Sequence, residues 1–142
     1  MDLSCITDAK KDRPKRLIIL GLPKVGKSTF AAGFPNSIFI PIAREEGIDD
    51  LDVKTFPVCA KYKDMRECLK TLYKEEHDYK TLNVDSMSTF ENILHAELCE
   101  RDGAESINTV GGGYGKWVDE SLLIWQEFID ALDHLRNKKA WQ

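Results

Sequence analysis

The feature that most constrains the fold of this chain is the segment GLPKVGKST at residues 21–29, which follows the apolar run RLIIL. Gly21 and Gly26 enclose four residues, and Lys27 and Ser28 follow, so the pattern GxxxxGKS is complete. In this pattern the glycines let the backbone wrap tightly, the lysine neutralises phosphate oxygens, and the hydroxyl reaches a magnesium ion. The segment is therefore predicted to be a phosphate-binding loop.

The residues around this loop have the order that the motif requires. Residues 17–20 form a β-type apolar run, and STFAAGFP reads as a short helix ended by Gly33 and Pro35. A helix that begins at the loop adds the positive end of its dipole to the anion site. The whole loop is predicted to contact the phosphates through Gly21, Leu22, Pro23, Lys24, Val25, Gly26, Lys27, Ser28 and Thr29.

Composition places the chain among ordinary globular proteins. Its 142 residues suffice for one domain, and 42% are hydrophobic and 31% charged. The four cysteines have no metal-ligand spacing, and neither a membrane span nor a secretory h-region is recognisable, so we expect reduced thiols and a cytoplasmic location. A net charge of −4 disfavours a surface devoted to duplex DNA.

Strands and helices alternate along the rest of the chain. Strands are predicted at residues 37–42, 53–58 and 79–86, and helices at residues 61–77, 86–103 and 118–137. The apolar stripe of the first of these helices is Met65, Leu69, Leu72 and Tyr73, and that of the last is Leu122, Trp125, Ile129, Leu132 and Leu135. This alternation predicts the α/β class, with a mainly parallel sheet between helices.

Acidic residues at strand ends are the candidates for the rest of the site. Asp85 ends the run TLNVD and is predicted to hold the magnesium shell, although a simple helix cap is the alternative. Asn83 interrupts the same strand and needs a polar partner. Glu45 and Glu46 follow the second strand, and either can orient or deprotonate the attacking water, unless both belong to a solvated acidic loop.

Two other classes of nucleotide-dependent protein fit the sequence less well. A GTPase would need an aspartate two residues after the lysine of NKKA, where Ala140 stands, so this class is rejected. A small-molecule kinase remains an alternative, but such enzymes clamp the transferred phosphate with several arginines, and only Arg101 and Arg136 follow Arg66.

The order of segments resembles the RecA-like ATPases encoded by many bacteriophages, AAA-type nucleotide-binding proteins linked to single-strand annealing and recombination. The matching segments are LIILGLPKVGKSTFAAGFPNSIFI, EEGIDDLDV, YKTLNVDS, GYGKWV and WQEFIDALDHLR. The resemblance implies a three-layer P-loop NTPase fold, ATP and Mg²⁺ as cofactors, and coupling of ATP hydrolysis to single-stranded DNA. It also implies a phosphate role for Lys27, a magnesium role for Ser28 and Asp85, and water activation by Glu45.

Further expectations concern partners and the extent of the domain. Tyr114 and Trp117, in the loop at residues 111–117, are candidates for stacking on DNA bases or for anchoring the following helix. A homo-oligomer or a phage recombination protein is a further possible partner, and a non-catalytic nucleotide-binding module of a phage assembly is an alternative function.

Residues 1–15 are predicted to be a flexible lead-in to an ATPase domain at residues 16–142. By the resemblance, the strand that should follow the last helix is missing, so we expect an N-terminal portion of a longer ATPase or a need for a partner strand.

Overall fold

The fold is described here from a computed structural model, which defines residues 2–7, 14–43 and 47–138. A short 3-10 helix at Leu3–Cys5 comes first. The elements that follow are α1 (Lys27–Ala32), β1 (Ser37–Pro41), β2 (Lys54–Thr55), α2 (Tyr62–Lys74), β3 (Thr81–Asp85), α3 (Met87–Asp102), a 3-10 helix (Ile107–Gly112) and α4 (Lys116–Asn137). The strands and helices predicted after the loop are confirmed, with shorter bounds for most of them.

The strands form a parallel sheet in the order β2-β1-β3. The register pairs Ile38 with Leu82 and Pro41 with Asp85, so β1 and β3 end side by side. Beyond β1, Ile42 forms an isolated parallel bridge with Cys59. Since β1 is the central strand, its apolar residues are buried on both faces of the sheet, as expected for a parallel sheet covered by other elements.

One hydrophobic core joins the sheet to α2, α3 and α4. Phe90 of α3 is fully buried, and its ring lies 4.9 Å from that of Trp125 and 4.8 Å from that of Phe128, both on α4. The ring of Tyr62, at the start of α2, lies 6.2 Å from Phe90 on the other side. The three long helices therefore meet at one aromatic cluster.

Helix ends are fixed by local hydrogen bonds. At the start of α2, the carboxylate of Asp64 accepts hydrogen bonds from the backbone N–H groups of Ala60 and Lys61. At the start of α3, the Ser86 hydroxyl accepts a hydrogen bond from the N–H of Thr89. Each contact satisfies a backbone donor that has no partner within its helix, which sets where the helix begins.

The buried face of α4 differs from the predicted stripe. Ile124, Phe128 and Leu135 are buried, whereas Leu122 is 53% and Ile129 39% exposed. The predicted stripe is confirmed for Leu135, which is buried, and for Trp125 and Leu132, which pack against the core. It was wrong for Leu122 and Ile129, because apolar residues on α4 extend around more than one face. On α2, Tyr73 is likewise half exposed, and Tyr62 and Cys68 take its place in the core.

The predicted strand at residues 17–20 is not formed. The backbone there has no regular structure, and Leu17, Ile18 and Leu20 are largely exposed. A strand is stable only when a neighbour accepts and donates its hydrogen bonds, and β3 pairs only with β1 within the described ranges. The apolar run alone was therefore insufficient to place it in the sheet.

The fold class is nevertheless confirmed. A small parallel sheet flanked by helices, with a glycine loop leading into α1, is the α/β arrangement of P-loop NTPases. None of the helices in the described ranges combines the length and the apolar character that a membrane span requires.

Candidate functional site

The glycine loop leads directly into α1, and its two motif glycines have separate reasons to be glycine. Gly26 precedes the first helical residue and has a φ of +93°, in the left-handed region that side chains disfavour. A Cβ on Gly21 would lie 2.9 Å from Cγ1 of Val25, closer than packed atoms allow. A side chain at Gly26 would strain the backbone, and one at Gly21 would require Val25 to shift.

Lys27, the first residue of α1, turns its side chain back over the loop. Its Nζ donates hydrogen bonds to the carbonyl oxygens of Gly21, at 3.0 Å, and Leu22, at 2.9 Å. Both acceptors are neutral, so a phosphate that enters the loop offers the ammonium group a stronger, charge-assisted partner. The side chain is therefore held close to the loop without being neutralised by these contacts.

Ser28 and Asp85 meet across the site. The Ser28 hydroxyl donates a hydrogen bond to Oδ2 of Asp85 at 2.6 Å, and both residues are half-buried. Ser28 is in the first turn of α1, and Asp85 is the last residue of β3. The two predicted magnesium ligands, which lie far apart in the sequence, are thus adjacent in the fold.

Gly47, in the segment that follows β1, lies close to Ser28 and Asp85. A Cβ on Gly47 would lie 3.2 Å from Oγ of Ser28 and 4.0 Å from Oδ2 of Asp85. Sequence reasoning did not single out Gly47, although a glycine directly after two acids at a strand end was an available signal. Glu45 and Glu46 lie outside the described residues, so the role predicted for Glu45 stays a prediction.

Asn83, the polar residue within β3, has the partner that it needs. Its Nδ2 donates a hydrogen bond to the Ser37 hydroxyl at 3.1 Å, and Ser37 in turn donates to the carbonyl oxygen of Ala31 at 3.2 Å. This chain of hydrogen bonds connects β3 and β1 to the end of α1. The polar residue Asn83 therefore connects α1, the helix that follows the glycine loop, to the sheet.

The two aromatic residues of the loop at residues 111–117 have different environments. Trp117 is partly buried against the core, and its ring lies 5.1 Å from that of His95 on α3. Tyr114 is fully exposed and has a φ of +56°, between glycines that also have positive φ. Trp117 is thus the anchor of α4, and Tyr114 is the aromatic side chain that the loop presents to solvent.

The geometry of the glycine loop agrees with a comparison against protein families. The model of the AAA domain family matches residues 13–140, which is most of the chain. The chain belongs to this family. Its AAA domain is a nucleotide-binding domain of the P-loop ATPase type. Neither the comparison with curated proteins nor that with solved structures found a match.

Proposed function

We propose that this AAA domain binds ATP together with Mg²⁺ and hydrolyses the nucleotide. The observation that carries the proposal is the 2.6 Å contact between Ser28 Oγ and Asp85 Oδ2 beside the glycine loop. In P-loop NTPases the magnesium ion is held by a hydroxyl of the loop and an acid at the end of a neighbouring strand. These two residues supply that pair at the expected places.

The chemistry of the two oxygen donors fits magnesium. A hydroxyl and a carboxylate are hard oxygen ligands, and Mg²⁺ in nucleotide sites uses few protein ligands and completes its shell with phosphates and water. An ion held by these two residues would neutralise charge that develops on the phosphates. Ser28 and Asp85 would hold it, and no further protein ligand is required.

The remaining roles belong to the loop and to the acid after β1. The backbone N–H groups of the loop and the Nζ of Lys27 bind phosphate oxygens and fix the orientation of the nucleotide. We propose Glu45 as the base that takes a proton from the attacking water, with Glu46 as the competing candidate. The approach of Gly47 to Ser28 and Asp85 supports a role for one of these two acids, because Gly47 follows Glu46 directly, and the family resemblance favours Glu45.

The contacts of Arg101 and Arg136 support hydrolysis over a kinase reaction. Nε of Arg101 donates a hydrogen bond to Glu97 at 2.9 Å, and Nε of Arg136 donates one to the carbonyl oxygen of Pro14 at 2.7 Å. Arginines that clamp a transferred phosphoryl group would need to be available at the glycine loop. These two are instead engaged in structural contacts.

We further propose that single-stranded DNA is the partner that the ATPase acts with, in phage recombination or replication in the host cytoplasm. The resemblance in the sequence motivates the biological setting, and the exposed Tyr114 next to Lys116 supports the DNA contact. Stacking on aromatic rings and charge pairing with phosphates are the two interactions that bind single strands without sequence preference. Assembly into a homo-oligomer is part of the same proposal.

Titration calorimetry with ATP, in the presence and absence of Mg²⁺, tests nucleotide binding. Lys27→Ala should lower the affinity by about 1.5–3 kcal/mol, the range for a hydrogen bond to a charged group. Lys63→Ala is the matched control, because this exposed lysine lies on α2 rather than in the glycine loop, and it should bind nearly as the wild type does. Equal affinities for the wild type and Lys27→Ala would refute the proposal.

ATP turnover measured with and without single-stranded DNA tests the partner. We expect stimulation by DNA at low salt, where phosphate contacts are strongest, and loss of stimulation in Tyr114→Ala. Tyr73→Ala is the control, because Tyr73 is 51% exposed but lies on α2. Turnover that DNA does not change, with no DNA binding at low salt, would rule out the coupling, and nucleotide binding without any turnover would favour the non-catalytic module.

A further inference from the structure

Two of the four cysteines are in direct contact in the core. The sulfur atoms of Cys59 and Cys68 lie 3.7 Å apart, with 1% and 8% of the two residues exposed. Cys68 is on α2, whereas Cys59 lies in the segment before this helix, nine positions away. Of the other cysteines, Cys5 is exposed and Cys99 is half-buried on α3.

Cys59 is also hydrogen-bonded to the end of β1, the strand that precedes Glu45 and Glu46. Its N–H donates a hydrogen bond to the carbonyl oxygen of Pro41 at 2.9 Å, and its own carbonyl oxygen accepts one from the N–H of Ala43 at 2.9 Å. Ala43 is separated from Glu45 by one residue. A covalent change at Cys59 therefore acts on the backbone that carries the acids after β1.

The contact between the two thiols makes them chemically unequal. The two sulfur atoms share a hydrogen bond in which either can be the donor. With Cys59 as the donor, this bond lowers the pKa of Cys68 despite opposing effects of burial and of Asp64 and Glu67. The same contact, with burial and with the charge of Asp64, raises the pKa of Cys59. Cys68 is thus the better nucleophile, since the thiolate is the reactive form.

We propose that Cys59 and Cys68 form a reversible intramolecular disulfide when the protein meets a peroxide. The Cys68 thiolate attacks one oxygen of hydrogen peroxide, the O–O bond breaks, and a sulfenic acid and hydroxide result. The hydroxide takes up the proton that Cys68 released on ionising and becomes water. The Cys59 sulfur then attacks the sulfenic sulfur, the S–O bond breaks, and the hydroxide leaves as water with the proton of Cys59. In total, two thiols and one peroxide give one disulfide and two waters, and a dithiol reverses the reaction by exchange.

The disulfide requires only local movement. The sulfur atoms must approach from 3.7 Å to about 2.05 Å, a displacement of less than 2 Å. The product links α2 to the residue that bridges the end of β1. The disulfide therefore restrains the end of β1, which precedes Glu45 and Glu46.

Alkylation of free thiols followed by peptide mapping tests this proposal on a Cys5→Ser background, which removes the exposed thiol. After peroxide treatment of the folded chain, we expect loss of the thiols of Cys59 and Cys68, a peptide that joins them, and a thiol at Cys99 that can still be alkylated. Subsequent treatment with dithiothreitol should restore both thiols. The same oxidation in urea is the control, where pairings that include Cys99 should appear.

Some outcomes contradict the proposal. If the folded chain gives the same mixture of pairings as the chain in urea, the 3.7 Å contact does not direct the reaction. If Cys59 and Cys68 keep their thiols while Cys99 is oxidised, the buried pair is not reactive. Hydrogen exchange supplies a second measurement, since the N–H groups of Cys59 and Ala43 should exchange more slowly in the oxidised protein, and unchanged rates would refute the effect on the strand end.

Discussion

The Ser28 hydroxyl and the Asp85 carboxylate, 57 positions apart in the chain, share a hydrogen bond of 2.6 Å beside the glycine loop. Ser28→Ala should lower the affinity for Mg²⁺–ATP by tenfold or more, from about 1.5 kcal/mol for a contact to a charged group, and should affect binding of ATP without Mg²⁺ less. Calorimetry with and without Mg²⁺ measures both. Ser28→Thr keeps the hydroxyl and should bind as the wild type does, so equal losses in both variants would mean that the hydroxyl holds no ion.

A second prediction distinguishes the two acids after β1. Glu45→Gln should keep nucleotide affinity but lower kcat by about 10²–10⁴, because it removes a general base and leaves the phosphate contacts in place. Glu46→Gln is the matched control, since it carries the same change one residue away, and it should retain most of the turnover. Steady-state rates of phosphate release measure both, and an inactive Glu46→Gln with an active Glu45→Gln would shift the assignment by one residue.

Much of the site could be predicted because its signals are local. The pattern of residues 21–29 needs only its own spacing, and Asp85 is marked by the end of an apolar run. The meeting of Ser28 and Asp85 depends instead on how α1 packs against the end of β3, because the strand predicted before the loop is not formed. The approach of Gly47 to this pair was not predicted, because the path of a loop depends on its tertiary contacts.

The errors of prediction have a common physical origin. The run at residues 17–20 has the composition of a strand, but strand formation requires hydrogen bonds from a neighbour that the local sequence does not specify. On α4, apolar residues occur on several sides, and only packing against Phe90 decides that Phe128 is buried and Leu122 exposed. Composition thus predicted the elements, and the contacts between elements decided their faces.

The third prediction concerns the position of Gly47 beside Ser28 and Asp85, the two proposed magnesium ligands. Gly47→Ala places a Cβ 3.2 Å from Oγ of Ser28, which must move by a few tenths of an ångström and thereby disturb its bond with Asp85. We expect weaker Mg²⁺–ATP binding with little change in stability, because Gly47 is exposed. Gly33→Ala is the control, since its Cβ would be equally crowded, at 3.3 Å from the carbonyl oxygen of Phe30.

Calorimetric titration and thermal unfolding of these two variants give the answer. Reduced affinity in Gly47→Ala alone would support a positioning role for the segment after β1. Equal affinities in Gly47→Ala and the wild type would show that the segment containing Gly47 can move without disturbing the site. A large loss of stability in Gly47→Ala would instead indicate a structural role.

The fourth prediction tests the buried face of α4. Phe128→Ala should lower the free energy of unfolding by about 3–5 kcal/mol, because it removes a ring that packs against Phe90 and Trp125. Leu122→Ala should cost about 0.5 kcal/mol or less, because this side chain is 53% exposed. Urea unfolding curves measure both, and the reverse order would restore the stripe through Leu122 that the sequence suggested.

The last prediction is a dependence of stability on alkaline pH. Tyr62 is 3% exposed, and its hydroxyl donates a hydrogen bond to Oε2 of Glu127 at 3.1 Å. Burial, followed by the negative charge of Glu127 and this hydrogen bond, raises the pKa of Tyr62 from 10.0 to about 12. Between these values the folded chain keeps a proton that the unfolded chain has released, so the free energy of unfolding falls as the pH rises from 10 to 12, and below pH 10 this contribution is constant. Urea unfolding at several pH values should give a shallower fall for Tyr62→Phe, which has no proton to lose, and an intermediate one for Glu127→Gln. A Tyr62→Phe curve as steep as that of the wild type would mean that another group controls alkaline unfolding.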